Sequence, residues 1–269
     1  MVRFGINCCD CVEGMKQLPN NFVDLTITSP PYDNLRKYNG FAWDFESVVK
    51  ELYRVTKDGG VVVWIVNDAT VKGSETGTSF RQALYFMESG FRLHDTMIYH
   101  KINPIPQNHN RYEQCFEYMF VFSKGKPNTF NPIKEPTKNA GKKFDWGNRK
   151  TVMDANQCRR HRDSEEIMVA PTKTRQNIFS YSVGGGNTGH PAVFPEQLAQ
   201  DHILSWSNEG DVVLDPFSGS GTTHKMALLN NRKFIGFELS PEYVEIEKRR
   251  LEDCGLKDLT NDPICDTIK

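Results

Sequence analysis

Two short motifs, each placed directly after an apolar run, carry the residue types best suited to chemistry. The first, Ser29-Pro30-Pro31-Tyr32, follows the apolar and β-branched run 22–27, which predicts a buried strand. Neither proline can donate a hydrogen bond to a neighbouring strand, and both have a fixed φ, so the strand ends in a stiff elbow. A bare proline pair is typical of a simple turn, but the flanking hydroxyl and aromatic ring favour a ligand site at the sheet edge.

The second motif is Asp215-Pro-Phe-Ser-Gly-Ser-Gly-Thr-Thr223, which follows the apolar run 212–214. A helix to Leu229 and a further strand at 233–237 come next, and Glu238 stands at the end of that strand. Glycines allow the backbone to approach a ligand, and a helix start offers free N–H groups. An acid about 20 residues after the first strand is placed to accept hydrogen bonds from ribose hydroxyls.

The glycine turn differs from the turns that bind dinucleotides or nucleoside triphosphates. Gly219-Ser220-Gly221 stands where G-x-G-x-x-G would be needed, and the Gly-Lys-Ser/Thr of a P-loop is absent from the sequence. The Asp215 carboxylate would repel a pyrophosphate but suits an ammonium or a sulfonium group. An adenosine that carries an amino acid therefore fits this turn better than a dinucleotide.

The elements that must position these motifs alternate between strands and helices, which indicates an α/β fold. Asp10 and Asp44 are predicted N-caps, and Asp58-Gly59-Gly60 is predicted to end the helix that starts at Asp44. The predicted strands are 4–9, 22–27, 61–66, 91–100, 115–122, 212–214 and 233–237; the predicted helices are 11–18, 44–56, 79–89, 195–205, 222–229 and 241–251. Strands 91–100 and 115–122 lie close in sequence, which predicts an antiparallel hairpin at a sheet edge.

Length and composition fit a single large α/β domain, with or without an insertion, since the chain has 269 residues and 25% charged residues. The longest uninterrupted aliphatic and aromatic run is Val61 to Val66, far too short for a membrane span, and the first residues show no signal pattern. We therefore expect a cytoplasmic protein without membrane contact. The cysteine count of 7 is odd and forms no paired metal-binding clusters, which predicts reduced thiols and no metal site.

One segment differs sharply from the rest in charge. Residues 124–175 carry a net charge of +7, while the whole chain carries −1, and Phe144 and Trp146 lie among the cations. A charge run is as often only a solvated face, but cations with aromatic and amide side chains suit phosphate contact and base reading. The candidate DNA-contacting residues are Lys142, Lys143, Arg149, Lys150, Arg159, Arg160 and Arg162.

Together, the two motifs resemble those of the amino-methylating DNA methyltransferases that use S-adenosylmethionine. Asp215 to Thr223 resembles their cofactor motif, Ser29 to Tyr32 resembles their catalytic motif, and His190-Pro191 with the following helix resembles the element before the cofactor strand. The order, with the catalytic motif first and the cofactor motif last, resembles the permuted β group. The resemblance implies a Rossmann-like methyltransferase fold, with a mostly parallel sheet, an antiparallel edge hairpin and a circularly permuted motif order.

The resemblance also implies a domain organisation and partners. Residues 1–123 would form the catalytic half, 124–186 a basic target-recognition insertion, 187–254 the cofactor-binding half and 255–269 a polar tail. Double-stranded DNA is the implied substrate, and a homodimer and a cognate restriction endonuclease are implied partners.

The resemblance also implies a role for each residue of this sequence that matches a position of the family's motifs. Asp10 would meet the adenine amino group of the cofactor, and Glu238 would hold its ribose. Ser29 and the backbone carbonyl of Pro30 would accept hydrogen bonds from the target amine, and Tyr32 would stack on a flipped base. The methionine part and ring of S-adenosylmethionine would be surrounded by the turn residues Asp215, Phe217, Gly219, Ser220, Gly221 and Thr222.

The same motifs bear on which base is methylated and on the competing hypotheses for the function. Within the family, serine before Pro-Pro more often accompanies N4 of cytosine, and aspartate or asparagine more often accompanies N6 of adenine, so cytosine is favoured and adenine is the alternative. No Pro-Cys nucleophile occurs in the sequence, which argues against methylation of carbon 5. A non-catalytic DNA-binding protein on the same scaffold and a methyltransferase for RNA or protein are competing hypotheses.

Overall fold

A computed structural model of the chain describes residues 2–31, 44–104, 106, 110–144, 151–153, 159–161, 167–183 and 194–255. In this part of the chain the helices are α1 Cys11–Met15, α2 Phe45–Val55, α3 Thr78–Glu88, α4 Glu196–Trp206, α5 Thr222–Leu229 and α6 Pro241–Asp253. The strands are β1 Gly5–Cys8, β2 Val23–Thr28, β3 Thr56–Val66, β4 Thr70–Val71, β5 Ser74–Glu75, β6 Arg92–Lys101, β7 Phe116–Ser123, β8 Lys134–Pro136, β9 Lys143–Phe144, β10 Thr151–Met153, β11 Arg159–His161, β12 Ile167–Met168, β13 Thr172–Thr174, β14 Ile178–Tyr181, β15 Val212–Asp215 and β16 Lys233–Glu238.

The described strands include one mixed sheet of 8 members in the order β1-β16-β15-β2-β3-β7-β6-β14. Neighbouring strands run parallel except at β7, which is antiparallel to both β3 and β6. The predicted antiparallel pairing of β6 and β7 is confirmed, but β14 pairs with β6 on its outer side, so this hairpin does not form the edge of the sheet as predicted. The expected mostly parallel, Rossmann-like α/β architecture is therefore confirmed.

Burial explains why β3 lies in the middle of this sheet. Val62, Trp64 and Val66 belong to one buried cluster together with apolar residues of α1, α2 and α3, while the alternating Val63 and Ile65 are buried as well. A strand that is apolar on both faces needs cover on both faces, as parallel sheets provide. The continuous apolar run in the sequence predicted this position.

The helix starts confirm two predicted N-caps. The Asp10 side chain accepts hydrogen bonds from the backbone N–H groups of Val12 and Glu13, at 2.9 and 3.0 Å. Asp44 accepts from the N–H of Ser47 at 3.2 Å. Each carboxylate satisfies donors that the first helical turn leaves without a backbone partner, so both helices begin where the sequence predicted.

The predicted role of Asp58-Gly59-Gly60 as a helix end is wrong. Helix α2 already ends at Val55, and β3 begins at Thr56 and continues through the two glycines. The pairing between β2 and β3 jumps at this point, and Gly59 adopts a φ of 79°, so the glycines form an irregular insertion within the strand. Glycine marks a bulge as readily as a helix end, and only the pairing partner distinguishes the two cases.

The chain divides into two compact units: a sheet unit, Met1–Asn131 with Asn177–Lys269, and a second unit, Pro132–Gln176, which we call the basic unit. The basic unit is narrower than the expected insertion 124–186, because β14 pairs with β6 and therefore belongs to the sheet unit. Its described strands form the antiparallel pairs β8–β13, β9–β12 and β10–β11.

Both chain positions that border the basic unit are tied to the sheet unit. The N–H of Asn131 donates to the Ser205 carbonyl oxygen at 2.8 Å, at the end of α4. The Asn177 side chain donates to the Asp95 carboxylate at 3.1 Å and to the Thr96 carbonyl at 3.3 Å, both on β6. The chain therefore leaves and re-enters the sheet unit at anchored positions.

Three expectations for the whole chain can be compared with the described residues. Within them, no helix is both long and apolar enough to cross a membrane. The cysteines of the described part, Cys8, Cys9, Cys11, Cys115 and Cys254, are free thiols. Among the same residues, no group of three His, Cys, Asp or Glu side chains is arranged to hold a metal ion.

Candidate active site

The direction of the connections reverses between two neighbouring strands of the sheet, which is where a ligand crevice is expected. From β2 the chain proceeds through α2 to the neighbouring β3, and from β15 it proceeds through α5 to β16 on the other side. Strands β2 and β15 are adjacent and parallel, with Val213 paired with Leu25 and Leu214 with Thr26. Open α/β sheets bind ligands at such a reversal, at the carboxyl ends of the strands.

The two sequence motifs meet at this reversal through one buried hydrogen bond. The Thr28 hydroxyl, at the end of β2, donates to the Asp215 carboxylate, at the end of β15, at 2.7 Å. Ser29 is therefore the next residue after a direct contact with the cofactor motif. The structure therefore brings together two motifs that lie far apart in the chain.

Asp215 is held by donors on several sides and is only 1% exposed. Besides Thr28, its carboxylate accepts from the Phe217 N–H at 3.0 Å and from the Thr223 hydroxyl at 2.9 Å. Burial raises the pKa of Asp215 to about 6, against the lowering effect of these hydrogen bonds. The side chain therefore shapes the start of the turn from inside the protein.

The turn between β15 and α5 depends on glycine at two positions. Gly219 and Gly221 adopt φ values of 53° and 77°, in the left-handed region that glycine occupies at no steric cost. A Cβ atom on Gly221 would lie 2.4 Å from Cγ of Glu247, so this position also has no room for a side chain. The Gly219 N–H donates to the Glu238 carboxylate at 3.0 Å, which ties the turn to the end of β16.

Glu238 and Asp10 stand at the ends of neighbouring strands. Glu238 pairs with Cys8 across β16 and β1, and Asp10 follows two residues after Cys8. Glu238 also accepts from the Ser240 N–H at 2.8 Å, remains partly exposed, and has a pKa raised by burial. The structure therefore lines the same sheet edge with these acids and with Asp215.

The remaining predicted cofactor residues differ in their surroundings. Phe217 is partly buried, and its ring packs edge-on against Trp64 of β3 at a centroid distance of 6.5 Å. Ser220 and Thr222 are buried at 4% exposure each, and their hydroxyls bond to the Arg250 guanidinium, at 2.9 and 3.3 Å. Their side chains therefore stabilise the turn.

The catalytic motif is described only in part. Ser29 and Pro31 are partly exposed at the end of β2, whereas Pro30 is buried. Tyr32 lies outside the described residues, so its predicted stacking role stays a prediction.

The predicted DNA-contacting residues belong to the basic unit. Lys142 and Lys143 are exposed, and Lys143 opens β9. Arg159 and Arg160 are on β11, whose backbone pairs with β10. Arg149, Lys150 and Arg162 lie outside the described residues.

Sequence reasoning missed several residues that build the site. Thr28 directly precedes the first motif and Thr223 ends the second, and the hydroxyl groups of both residues were the available signal. Glu247 and Arg250 lie on α6, and both contact the turn from there. An acid and a base on a charged amphipathic helix give no local signal of such a contact.

The reversal of strand connections, the glycine turn and the two acids at one sheet edge are features of the methyltransferase type of α/β fold. The family model N6_N4_Mtase, described as DNA methylase, matches residues 23–249. The chain belongs to this family of DNA methylases.

Individual relatives agree with this membership. The orphan methyltransferase M.BamHII of Bacillus amyloliquefaciens is 55% identical over 245 residues, which cover 86% of this chain and 89% of that protein. The type II methyltransferase M.SmaI of Serratia marcescens is 27% identical over 286 residues, which cover 90% of this chain and 88% of that protein.

Solved structures share the fold. The PvuII DNA methyltransferase (cytosine-N4-specific) superposes with a TM-score of 0.66 at 22% identity, over 94% of this chain and 88% of that one. TTHA0409 of Thermus thermophilus, a putative DNA modification methylase complexed with S-adenosyl-L-methionine, gives a TM-score of 0.64 at 24% identity and covers 93% of both chains.

Proposed function

We propose that this DNA amino-methyltransferase transfers a methyl group from S-adenosylmethionine to N4 of a cytosine that is flipped out of duplex DNA. The observation that carries the proposal is the hydrogen bond between Thr28 and Asp215, because it joins the catalytic and cofactor motifs at one crevice. A donor bound by the second motif would then face a base held by the first.

The residues at the sheet edge fit S-adenosylmethionine by their chemistry. Glu238 is a partly exposed carboxylate next to the left-handed Gly219, which suits two ribose hydroxyls beside a close backbone. Asp10 would accept a hydrogen bond from the adenine amino group, and Phe217 would offer an apolar surface to the cofactor. When bound, this cofactor supplies an electrophilic methyl group on a sulfonium.

The residues of the first motif act on the target amine. The lone pair of an exocyclic amine is delocalised into the base, so the amine is a poor nucleophile. Ser29 and the backbone carbonyl of Pro30 accept hydrogen bonds from its two N–H groups, which draws the nitrogen towards tetrahedral geometry and frees the lone pair. Tyr32 stacks on the everted base and holds it in position, so catalysis rests on placement and fixed acceptors.

The choice of cytosine rests on Ser29 at the first position of the motif. Adenine N6 is the alternative, because the same pair of acceptors serves either exocyclic amine. Among the solved structures with this fold, the PvuII enzyme is described as cytosine-N4-specific, which is consistent with cytosine.

Product analysis tests the whole proposal. Purified protein is incubated with methyl-labelled S-adenosylmethionine and duplex DNA, and the DNA is hydrolysed to nucleosides and compared with N4-methylcytosine and N6-methyladenine standards. Label in N4-methylcytosine is the expected result. Label in N6-methyladenine would show that adenine is the target base. Cofactor binding without any transfer to DNA would favour a non-catalytic DNA-binding protein, and transfer to RNA or protein would overturn the DNA substrate.

We further propose that the basic unit selects the DNA sequence. Its side chains combine exposed cations such as Lys142 and Lys143 with aromatic and amide groups, which suits phosphate contact together with base reading. Methylation patterns of chimeric proteins that carry a different segment at 132–176 would test this role.

A further inference from the structure

Helix α6 contacts the glycine turn between β15 and α5 through two of its side chains. Arg250 of α6 donates to the backbone carbonyl of Ser220, to the Ser220 hydroxyl at 2.9 Å and to the Thr222 hydroxyl at 3.3 Å. One guanidinium thus holds three acceptors of a turn whose flanking glycines are left-handed.

A second side chain of the same helix reaches the turn one helical turn earlier. The Glu247 carboxylate is completely buried, accepts from the Ser218 hydroxyl at 3.4 Å, and lies 2.6 Å from Nδ1 of His224 on α5. Glu247 also fills the space that a side chain on Gly221 would need. The turn is therefore packed and hydrogen-bonded by α6 along most of its length.

Arg250 is itself held in place by a third helix. Its guanidinium lies 2.9 Å from the Glu196 carboxylate at the start of α4, and Lys225 of α5 lies 2.7 Å from the same carboxylate. Burial would raise the pKa of Glu196, but Lys225 and Arg250 hold it below the ordinary value, so the carboxylate is ionised at neutral pH. The Arg250 guanidinium is thus held by the turn on one side and by Glu196 on the other.

We propose that Arg250 is a positioning residue that holds the turn in its cofactor-binding conformation. The inference rests on the proposed function, since it concerns the same cofactor. Glycine-containing turns have many accessible conformations, and a ligand that has to order one loses affinity. A guanidinium that bonds both the backbone and the hydroxyls of the turn removes this cost before the ligand arrives.

The test is the substitution Arg250→Gln, with S-adenosylmethionine affinity measured by titration calorimetry. We expect the dissociation constant to rise about tenfold, in keeping with the loss of charge-assisted hydrogen bonds. The KM for DNA and the kcat at saturating cofactor should stay within about twofold of wild type, because the contacts of Arg250 in the described part of the chain are to the turn and to Glu196. Arg250→Lys keeps the charge and should restore part of the affinity.

Arg249→Gln is the matched control, because Arg249 is the neighbouring residue on α6 and is exposed. It should bind the cofactor like the wild type. Equal cofactor affinity of wild type and Arg250→Gln would overturn the inference, as would a fall in kcat at saturating cofactor with unchanged affinity.

Folding and the proposed function are tested separately. Thermal melting shows whether Arg250→Gln is folded; if it is not, Glu196→Gln decides, because it removes the carboxylate that orients Arg250 and leaves the turn intact. Glu196→Gln should weaken cofactor binding about threefold, and unchanged binding would contradict the inference. A wild-type protein that binds no S-adenosylmethionine would instead contradict the proposed function.

Discussion

The sheet unit and the basic unit are each stabilised by a different kind of interaction. In the sheet unit, side chains such as Trp64, Phe122 and Phe237 are buried, and the site sits on the strands that they cover. Among the described residues of 132–176, none belongs to the buried core. Short antiparallel pairs hold that unit, with an ion pair between Arg175 and Glu135 at 3.6 Å.

This difference separates what the two units are able to do. A site on buried strands is placed with high precision, which methyl transfer requires. A unit whose side chains are not committed to a core can present many combinations of charge and shape to DNA. We therefore expect changes in the sheet unit to affect chemistry or cofactor binding, and changes in the basic unit to affect the affinity for DNA and the choice of DNA sequence.

The largest expected effect is on turnover, from Ser29→Ala in the sheet unit. Loss of the hydroxyl acceptor should lower kcat by about a hundredfold, by analogy with the removal of one fixed hydrogen-bonding group from an active site. The dissociation constant for S-adenosylmethionine should stay within about twofold, because Ser29 belongs to the base side of the crevice. Single-turnover methyl transfer and cofactor titration measure the two quantities.

Ser74→Ala, at an exposed position on β5, is the control and should leave both values unchanged. A kcat close to that of wild type for Ser29→Ala would remove this hydroxyl from the reaction.

The next effect is on DNA affinity, from the triple change of Arg159, Arg160 and Arg162 to Gln in the basic unit. Each lost phosphate contact lowers the slope of log K against log salt concentration by about 0.9, so the slope should fall by up to about 2.7. Cofactor affinity should not change. Fluorescence anisotropy with labelled duplex DNA across a salt series measures the slope.

A triple change in the sheet unit controls for net charge. Lys16, Lys50 and Lys248 have side chains that are 54%, 65% and 44% exposed, and their change to Gln removes the same charge. Equal loss of salt dependence in both triple variants would show that the effect comes from overall charge, and the contrast between the two units would fail.

The smallest expected effect concerns the contact between Thr28 and Asp215 and the way in which cofactor use depends on pH. Asp215 has a pKa of about 6 in the folded protein, raised by burial from 3.8, so its contribution to stability is full below about pH 4 and is lost as the pH rises through about 6. Thr28→Val removes a hydrogen bond that favours the ionised form, so the pKa of Asp215 should rise further.

The acid limb of the pH profile of kcat/KM for S-adenosylmethionine should move to higher pH together with this pKa. Thr70→Val, on the exposed strand β4, should leave the profile in place. A lower or unchanged limb in Thr28→Val would show that Asp215 does not govern cofactor binding through its ionisation.

Local signals in the sequence predicted most of the elements that carry the site. Asp10 and Asp44 precede helices that need an N-cap, and the apolar runs before Ser29 and Asp215 became parallel strands. Each of these predictions depends on residues within a few positions of one another. The family resemblance then supplied the roles, which a bare strand and turn pattern does not contain.

Contacts between distant residues were beyond the reach of sequence reasoning. Thr28 bonds to Asp215 across 187 positions, and Arg250 reaches Ser220 across 30. The composition of 124–186 showed a basic segment but not that Ile178–Tyr181 would pair with β6, because strand pairing depends on a partner about 80 residues away. These contacts depend on the assembled sheet.

The anchored positions at Asn131 and Asn177 have a consequence for protein engineering and for evolution. We expect the stretch between these two asparagines to be exchangeable as a cassette, because the described bonds at both borders are made to α4 and β6. Under the role proposed for the basic unit, such an exchange would change which DNA sequence is methylated and leave the catalytic residues as they are.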